Sequence, residues 1–347
     1  MSVEKTFWGI TKDGKEVHKY FIANEQGANI EVIDYGAILV SVCVPDNTGL
    51  LRDVVLGYDR LEDYEENPNF FGATIGRSGN RIANGRFEIN SVIYQMDQNE
   101  NENNVHSGKN GFEKRIWNVD EADRDHVVFS LLSPDGDEGF PGEFKISVTY
   151  TLTEENEVKI HYSGICDKDT VANMTNHSYF NLGGHDSGLV LDQILQINAD
   201  SFTPVADSKS IPTGEIAPVK GTPMDFTEGK PIGRDIEADF EQLIFTGGYD
   251  HNYVLNNQNG TVRLAAKAKS EESGIGLEVY TDTPGVQFYA GNFISGPAGK
   301  DGVSYEPRAG FCLETQYYPN SINEPGFPSP ILKKGDWYET TTIYHFI

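Results

Sequence analysis

The sequence has no long apolar run and a shortage of basic residues. Its apolar stretches fall well short of the roughly 18 residues that a membrane-spanning helix needs, and the first residues lack the apolar segment of a secretory signal. The 27 lysines and arginines face 53 aspartates and glutamates, which gives a formal net charge of −26. So acidic a surface repels polyanions. The sequence therefore argues against a membrane protein and against nucleic acid as a partner.

Cysteine is also scarce. Cys43, Cys166 and Cys312 are odd in number, far apart and without CxxC spacing. We expect reduced thiols, which together with the missing secretory segment predict a cytoplasmic protein. Nothing in the sequence distinguishes a monomer from a homodimer.

Long amphipathic helices are missing as well, whereas turn residues are abundant, with 36 glycines and 16 prolines. Apolar and polar residues alternate over 144–152 and over 158–163, as in strands with one buried face. A helical turn is expected within 59–69, a weak helix over 235–243 and a pair of strands within 189–197. The pattern predicts an all-β fold, a large antiparallel β-sandwich with a few short helical turns. No linker is visible, so residues 1–347 are expected to form a single domain.

The first candidate catalytic residue is His177, in a segment over 173–184 that reads NMTNHSYFNLGG. The apolar alternation of the preceding strand breaks down here and a glycine turn follows. Residues at such breaks are presented to a cavity more often than they are buried. We therefore expect His177 on a loop beside a cavity. A lone histidine is more commonly structural or solvated, so this hypothesis needs partners elsewhere in the chain.

Glu314 is the most unusual carboxylate, because it interrupts the apolar run 310–313 and is followed by Thr315, Gln316 and two tyrosines. A carboxylate carried on a strand end among such residues is partly desolvated, which raises its pKa and makes it a better general base. Glu314 is the natural partner to look for near His177.

A glycine-rich segment over 70–86 carries Arg77, Arg81 and Arg86. Glycines at this density let the backbone approach a ligand, but the spacing matches neither a P-loop nor a dinucleotide fingerprint. The arginines are either surface charges or ligand-binding groups. His106 is a second histidine in a loop of small residues.

Six short motifs follow one another along the chain: Asn80-Arg81-Ile82, Val105-His106-Ser107-Gly108, Thr175-Asn176-His177-Ser178-Tyr179-Phe180-Asn181-Leu182, Gly248-Tyr249-Asp250-His251, Gly285-Val286-Gln287-Phe288-Tyr289 and Leu313-Glu314-Thr315-Gln316. Their order and spacing resemble those of the aldose 1-epimerases, the galactose mutarotases, over essentially the whole chain. The resemblance implies a galactose mutarotase-like supersandwich with an open carbohydrate cleft. It also implies an isomerase that interconverts the α and β anomers of free aldoses, typically galactose and glucose, without a cofactor or a metal ion.

The resemblance also implies roles for individual residues. Glu314 corresponds to the base that takes the proton from the anomeric hydroxyl, and His177 to the acid that protonates the ring oxygen. His177 must then start protonated, and we expect the carboxylates of Asp250 and Glu314 to raise its pKa. The remaining contacts to the sugar are expected from His106, Arg81, Asp250, Asn80 and Gln287.

Three other functions are weighed against this one. A metal site built from His106, His177 and an acid would suit a cupin-like enzyme, although the histidines lack HxH or HExxH spacing. A glycoside hydrolase would use Asp250 and Glu314 as paired carboxylates. A non-catalytic sugar-binding protein or a sugar-phosphate epimerase relative would bind without exchanging the anomers of free hexoses. The roles of Arg77, Phe293, Tyr317 and Tyr318 are left open.

Overall fold

The computed structural model describes residues 3–347 and consists mainly of antiparallel β-strands joined by turns. The strands of the first half of the chain are β1 (Val3–Ile10), β2 (Glu16–Ala23), β3 (Asn29–Ile33), β4 (Ile38–Pro45), β5 (Leu51–Asp53), β6 (Ala73–Ile75), β7 (Arg81–Ile82), β8 (Arg86–Ile89), β9 (Val92–Gln95), β10 (Asn104–Val105), β11 (Asn118–Asp123), β12 (His126–Ser133), β13 (Phe144–Leu152) and β14 (Glu157–Cys166). Those of the second half are β15 (Thr170–Val171), β16 (Thr175–His177), β17 (Tyr179–Phe180), β18 (Ile194–Ile197), β19 (Ser201–Phe202), β20 (Ala217–Pro218), β21 (Lys230–Pro231), β22 (Asp250–Val254), β23 (Arg263–Lys269), β24 (Gly276–Thr281), β25 (Gly285–Tyr289), β26 (Phe311–Gln316), β27 (Ile331–Leu332) and β28 (Trp337–Phe346).

Helices are short. The α-helices are α1 (Leu61–Glu66) and α2 (Glu241–Thr246), and single 3₁₀ turns occupy Ala83–Gly85, Phe112–Lys114, Asp137–Gly139, Lys300–Gly302 and Ser321–Asn323. Helix α1 confirms the turn expected within 59–69. No helix in residues 3–347 has the length and apolar character needed to cross a membrane.

Two sequence-based element boundaries are wrong. The weak helix expected over 235–243 lies further along, at α2, which ends at Gly247 in the left-handed conformation. The expected start fails because the carboxylate of Asp235 accepts a hydrogen bond from Lys230 Nζ at 2.7 Å, which holds that segment in turns. The strand pair expected within 189–197 is a single strand, β18, whose partners β21 and β23 come later in the chain.

Three large sheets dominate the architecture. One has five strands in the order β1-β2-β3-β4-β5, one has nine in the order β11-β12-β13-β14-β28-β24-β23-β18-β21, and one has six in the order β17-β26-β25-β22-β19-β20. Apolar side chains from all three belong to one buried core, for example Ile22, Val148 and Phe288. Sheets that bury their apolar faces against a shared core form a sandwich, which confirms the predicted all-β class.

The six-stranded sheet brings polar side chains together on one face. Gln287 on β25 pairs with Asn252 on β22 and with Glu314 on β26. Directly paired residues point to the same side of a sheet. The carboxylate of Glu314 therefore projects beside the amide of Gln287 from a strand that is buried along its whole length.

Candidate active site

A cavity of about 410 Å³ opens beside this polar face. It is lined by Pro68, Asn69, Phe70, Asn80, Arg81, Glu100, Val105, His106, His177, Tyr179, Ser208, Ser210, Phe245, Thr246, Asp250, Tyr289, Phe293 and Glu314. A larger hollow of about 900 Å³, lined by residues between 200 and 234, contains none of the predicted site residues. The smaller cavity contains most of the predicted site residues, so it is the candidate active site.

His177 and Glu314 form the centre of the cavity. His177 Nε2 lies 3.7 Å from Glu314 Oε1, and both residues are almost fully buried. The expectation that His177 lies on a loop is wrong, because it ends strand β16, which pairs with β6. The pairing with β6 covers the backbone of His177, and its imidazole ring lines the cavity. Its Nδ1 contacts the thiol of Cys312 on β26, with Sγ at 3.6 Å.

Burial sets the protonation of this pair. It lowers the pKa of His177 to about 4, and the nearby carboxylate of Asp250 and a backbone hydrogen bond only partly oppose it. The expectation that nearby carboxylates raise the pKa of His177 above its ordinary value is therefore wrong, because burial outweighs them. Burial, reinforced by the charge of Asp250, raises the pKa of Glu314 well above its ordinary value, as predicted, while Arg81 opposes the rise. Burial thus favours the neutral form of both groups, with the proton of the pair on Glu314.

His106 lies against His177, with ring centroids 5.2 Å apart. Its Nδ1 accepts a hydrogen bond from the backbone N–H of Asn80 at 3.2 Å. Burial, with the proximity of His177 and Arg81, holds the pKa of His106 well below its usual range, so the ring is neutral. A neutral imidazole that accepts at Nδ1 carries its proton on Nε2. His106 is thus set up to donate a hydrogen bond from Nε2.

That tautomer bears on the metal-site alternative. One possible ligand atom each from His106, His177 and Glu314 lies within 4.8 Å of the others, so the missing HxH or HExxH spacing does not by itself exclude a metal site. A metal ligand must be an unprotonated ring nitrogen, however. The hydrogen bond from Asn80 uses the free lone pair of His106, which favours a hydrogen-bonding role over a metal site.

Arg81 and its partners form the opposite wall. The guanidinium donates two hydrogen bonds to Glu100, from Nε at 2.6 Å and from Nη2 at 2.8 Å, while Nη1 lies 3.8 Å from Asp250 Oδ2. Gln287 Nε2 donates to Asp250 Oδ1 at 2.7 Å. Sequence reasoning missed Glu100, which sits in a polar run that reads as an ordinary loop.

Aromatic rings close the sides of the cavity. Phe70, which sequence reasoning also missed, has its ring centroid 4.8 Å from that of His106 and 5.9 Å from that of His177. Tyr179 stacks on His177 with centroids 5.1 Å apart. Phe293 lines the cavity and is 65% exposed, so it offers a surface for a ligand to stack on.

The other residues with open roles lie elsewhere. The hydroxyl of Tyr318 accepts a hydrogen bond from Gln258, and the backbone N–H of Tyr317 donates to Asn173. Neither tyrosine lines the cavity. Arg77 is 1% exposed, and its guanidinium donates hydrogen bonds to the backbone carbonyls of Ser133, Pro141 and Gly142. Arg77 is therefore not a second cation beside Arg81.

Several residues at or next to the cavity have a strained backbone. Phe70, Asn80, His106 and Ser107 have φ angles between 51° and 71°, the left-handed region that non-glycine residues rarely occupy. The Ser107 hydroxyl accepts from the backbone N–H of Ser78 and donates to its carbonyl, which holds the loop in place. Such conformations cost on the order of 1–3 kcal/mol each and cluster at functional sites.

Comparison with known proteins agrees with this geometry. The family model described as "Aldose 1-epimerase" matches residues 18–345. The chain is 40% identical over 348 residues to the galactose mutarotase of Rattus norvegicus, covering 100% of this chain and 99% of that protein. It is 39% identical over 339 residues to the aldose 1-epimerase of Haemophilus influenzae, covering 96% and 97%. The solved structure of an aldose epimerase homologue from C. elegans superposes with a TM-score of 0.86 at 31% identity, covering 99% of each chain.

The fold and the cavity define an isomerase of the galactose mutarotase type. The chain belongs to the aldose 1-epimerase family. The family, the fold class and the enzyme class predicted from the six motifs are thereby confirmed.

Proposed function

We propose that the protein interconverts the α and β anomers of free aldohexoses such as galactose and glucose by opening and closing the sugar ring. The observation that carries the proposal is the buried pair of His177 and Glu314, 3.7 Å apart in a cavity lined with hydrogen-bonding groups. Opening a hemiacetal requires removal of a proton from the anomeric hydroxyl and delivery of one to the ring oxygen. Both oxygens are bonded to the same carbon, so an acid and a base must stand close together.

Glu314 takes the proton from the anomeric hydroxyl, and His177 gives a proton to the ring oxygen. The carbonyl of the open form turns about its bond to the next carbon. Glu314 then returns its proton and His177 recovers one, and the ring closes on the other face. No cofactor takes part, because the reaction only moves protons within the substrate and this pair.

The resting proton must first move from Glu314 to His177. Arg81 favours the ionised carboxylate and Asp250 favours the imidazolium, although burial outweighs both. Sugar hydroxyls that donate to the Glu314 carboxylate lower its pKa. Substrate binding thus shifts the proton from Glu314 to His177, which gives the ionised base and the protonated acid. The total number of protons on the pair does not change.

The other wall residues hold the sugar. Arg81 and the Nε2 proton of His106 act as donors, Asp250 as an acceptor and Asn80 as a further polar contact. Gln287, expected as another contact, lies outside the cavity lining and holds Asp250 through its Nε2 donor. Phe293 supplies the stacking surface at the rim. The preference between galactose and glucose depends on which hydroxyl meets each of these groups.

The direct test is polarimetry of freshly dissolved α-galactose and α-glucose. The optical rotation should relax to equilibrium faster with the protein than in buffer alone, in the presence of a chelator as well as in its absence. Equal rates with and without protein for both sugars would refute the function. Release of reducing sugar from a galactoside would support the glycoside hydrolase alternative instead.

Substitutions at the central pair test the mechanism. Glu314→Gln and His177→Asn should each lower kcat by roughly a hundredfold or more, as expected for a general base and a general acid. Glu102→Gln and His161→Asn make the same chemical changes at residues that do not line the cavity. These controls should keep kcat within about twofold of the unmodified enzyme. A catalytic variant that retains comparable turnover would remove that residue from the mechanism.

We further propose a cytoplasmic location. Cys43, Cys166 and Cys312 are all free thiols, which suits a reducing compartment. Fractionation of the native host followed by immunodetection would test this. The monomer or homodimer expected from the sequence stays a prediction, to be decided by sedimentation of the purified protein.

A further inference from the structure

The charges that line the cavity are unbalanced. Among the described lining residues, Arg81 is the single lysine or arginine, whereas Glu100, Asp250 and Glu314 carry carboxyl groups. His106 and His177 are neutral because burial holds the pKa of each ring below its usual value. The cleft of an already acidic protein therefore has an excess of negative charge whether or not Glu314 is ionised, because Glu100 and Asp250 alone outnumber Arg81.

The two parallel N–H donors of Arg81, Nε and Nη2, which we call its fork, are also occupied. An arginine that recognises a phosphate or a carboxylate does so through two parallel N–H donors. In Arg81 these donors, Nε and Nη2, are bound to the two oxygens of Glu100. The remaining amino group, Nη1, faces Asp250 at 3.8 Å. Arg81, the one lysine or arginine among the described lining residues, therefore already has a carboxylate beside each end of its guanidinium, Glu100 at one and Asp250 at the other.

Neighbouring cations are committed elsewhere. The guanidinium of Arg77 is buried against the carbonyls of Pro141 and Gly142. Lys209 lies between two lining serines, but its Nζ is bound to Glu102 at 2.6 Å. An anionic group on a substrate would enter this cleft without a free cationic partner among these residues and next to the Glu100 carboxylate.

Resting on the function proposed above, we infer that Glu100 is a specificity-determining residue that restricts the enzyme to uncharged aldoses. It does so by occupying the fork of Arg81 and by repelling anionic sugars such as uronates and sugar phosphates. Glu100 touches no reacting atom in this scheme, so its effect falls on the choice of substrate.

The test compares D-galactose with D-galacturonate, which carries a carboxylate in place of the C6 alcohol. Polarimetry gives kcat/KM for each sugar in the unmodified enzyme, in Glu100→Gln and in Glu88→Gln. A glutamine accepts at one oxygen only, so Glu100→Gln removes the charge and frees part of the Arg81 fork. The ratio of kcat/KM for galacturonate to that for galactose should rise on the order of tenfold in Glu100→Gln. It should stay within about twofold in Glu88→Gln, which removes an exposed carboxylate on β8 outside the cavity lining.

A second comparison needs no substitution. The C6 amide of galacturonic acid resembles galacturonate in shape but has no charge, so the unmodified enzyme should convert the amide with a higher kcat/KM than galacturonate. Added salt should narrow this difference, because the cleft is open to solvent and the repulsion is screened. These measurements decide the matter if Glu100→Gln folds poorly.

Three results would overturn the inference. Glu100→Gln could lower kcat/KM for both sugars by the same factor, which would make Glu100 merely structural. Glu88→Gln could shift the ratio as much as Glu100→Gln, which would assign the effect to general surface charge. Equal kcat/KM for galacturonate and its amide would show that charge is not selected against. Absence of any acceleration with galactose is a separate outcome that refutes the proposed function itself.

Discussion

Burial and charge act in opposite directions on His177 and Glu314. The cavity wall removes both side chains from water, which disfavours the ionised form of each. Asp250 and Arg81 favour the imidazolium and the carboxylate respectively, but burial outweighs both. In the proposed mechanism the pair works with one proton shared between its two groups.

The pH dependence of kcat/KM follows from this count. Activity should fall at low pH, near the lowered pKa of His177 of about 4. There His177 takes up a proton while Glu314 is still protonated, so that no base is left. It should fall again at high pH as the pair loses its last proton, above the raised pKa of Glu314. Polarimetric rates between pH 3 and pH 10 should trace a bell. In Glu314→Gln only His177 can carry the proton, so the alkaline limb of any residual activity should move to lower pH, toward the lowered pKa of His177. A limb that stays in place would assign it to another group.

Stability should depend on pH through the same carboxyl group. The pKa of Glu314 is raised in the folded state, so its full contribution to stability is present below the unfolded pKa of about 4.3. That contribution is lost as the pH rises toward the folded pKa, by about 1.4 kcal/mol for each pH unit. The free energy of unfolding of Glu314→Gln relative to the unmodified protein should therefore increase from pH 4 to pH 8. Urea unfolding at both pH values measures it, and a constant difference would contradict the raised pKa.

At the scale of elements, the segment between β6 and β7 links the two halves of the cavity. Strand β6 pairs with β16, which ends at His177, and β7 begins with Arg81. Between them Arg77 is anchored by hydrogen bonds to backbone carbonyls on either side of the loop over 134–142. A buried guanidinium that satisfies several carbonyls fixes the path of this segment and so the spacing of the walls.

Arg77→Met tests that anchor. The substitution keeps an apolar stem but leaves several buried carbonyls without a donor, at about 1–3 kcal/mol each. We expect the free energy of unfolding to fall by about 3 kcal/mol or more, as measured by urea denaturation. Arg86→Met, at an exposed position on β8, should change it by less than about 0.5 kcal/mol. Equal small effects would show that Arg77 is dispensable for the fold.

Sequence patterns predict some of the cavity residues but not others. Glu314 among apolar residues and His177 before a glycine turn are unusual enough to be chosen as candidates, and both line the cavity. Glu100 and Phe70 carry no such local signal. They become site residues only because pairing of β7 with β10 and a left-handed turn at Phe70 bring them to the wall.

At the scale of the whole molecule, the three large sheets share one buried core. Ile22 comes from the five-stranded sheet and Phe288 from the six-stranded sheet, and both are fully buried in that core. Sheets that depend on each other for burial cannot melt separately without exposing apolar surface. We therefore propose that the chain forms a single domain.

Calorimetry tests the single domain. Heating should give one transition whose calorimetric enthalpy equals its van't Hoff enthalpy. Ile22→Ala and Phe288→Ala should each lower the midpoint of that same transition, since each costs about 2–5 kcal/mol of core packing. Two transitions, each shifted by only one of these substitutions, would indicate two domains.

The sequence by itself determined the all-β class, through alternating apolar residues and abundant turn residues, and it determined the family, through six motifs in a fixed order. These are properties of local pattern. The protonation of the central pair and the occupied fork of Arg81 were decided only by the tertiary structure. The physical reason is that desolvation and charge pairing depend on which distant side chains meet, and strand register and loop geometry bring Gln287 beside Glu314 and Glu100 against Arg81.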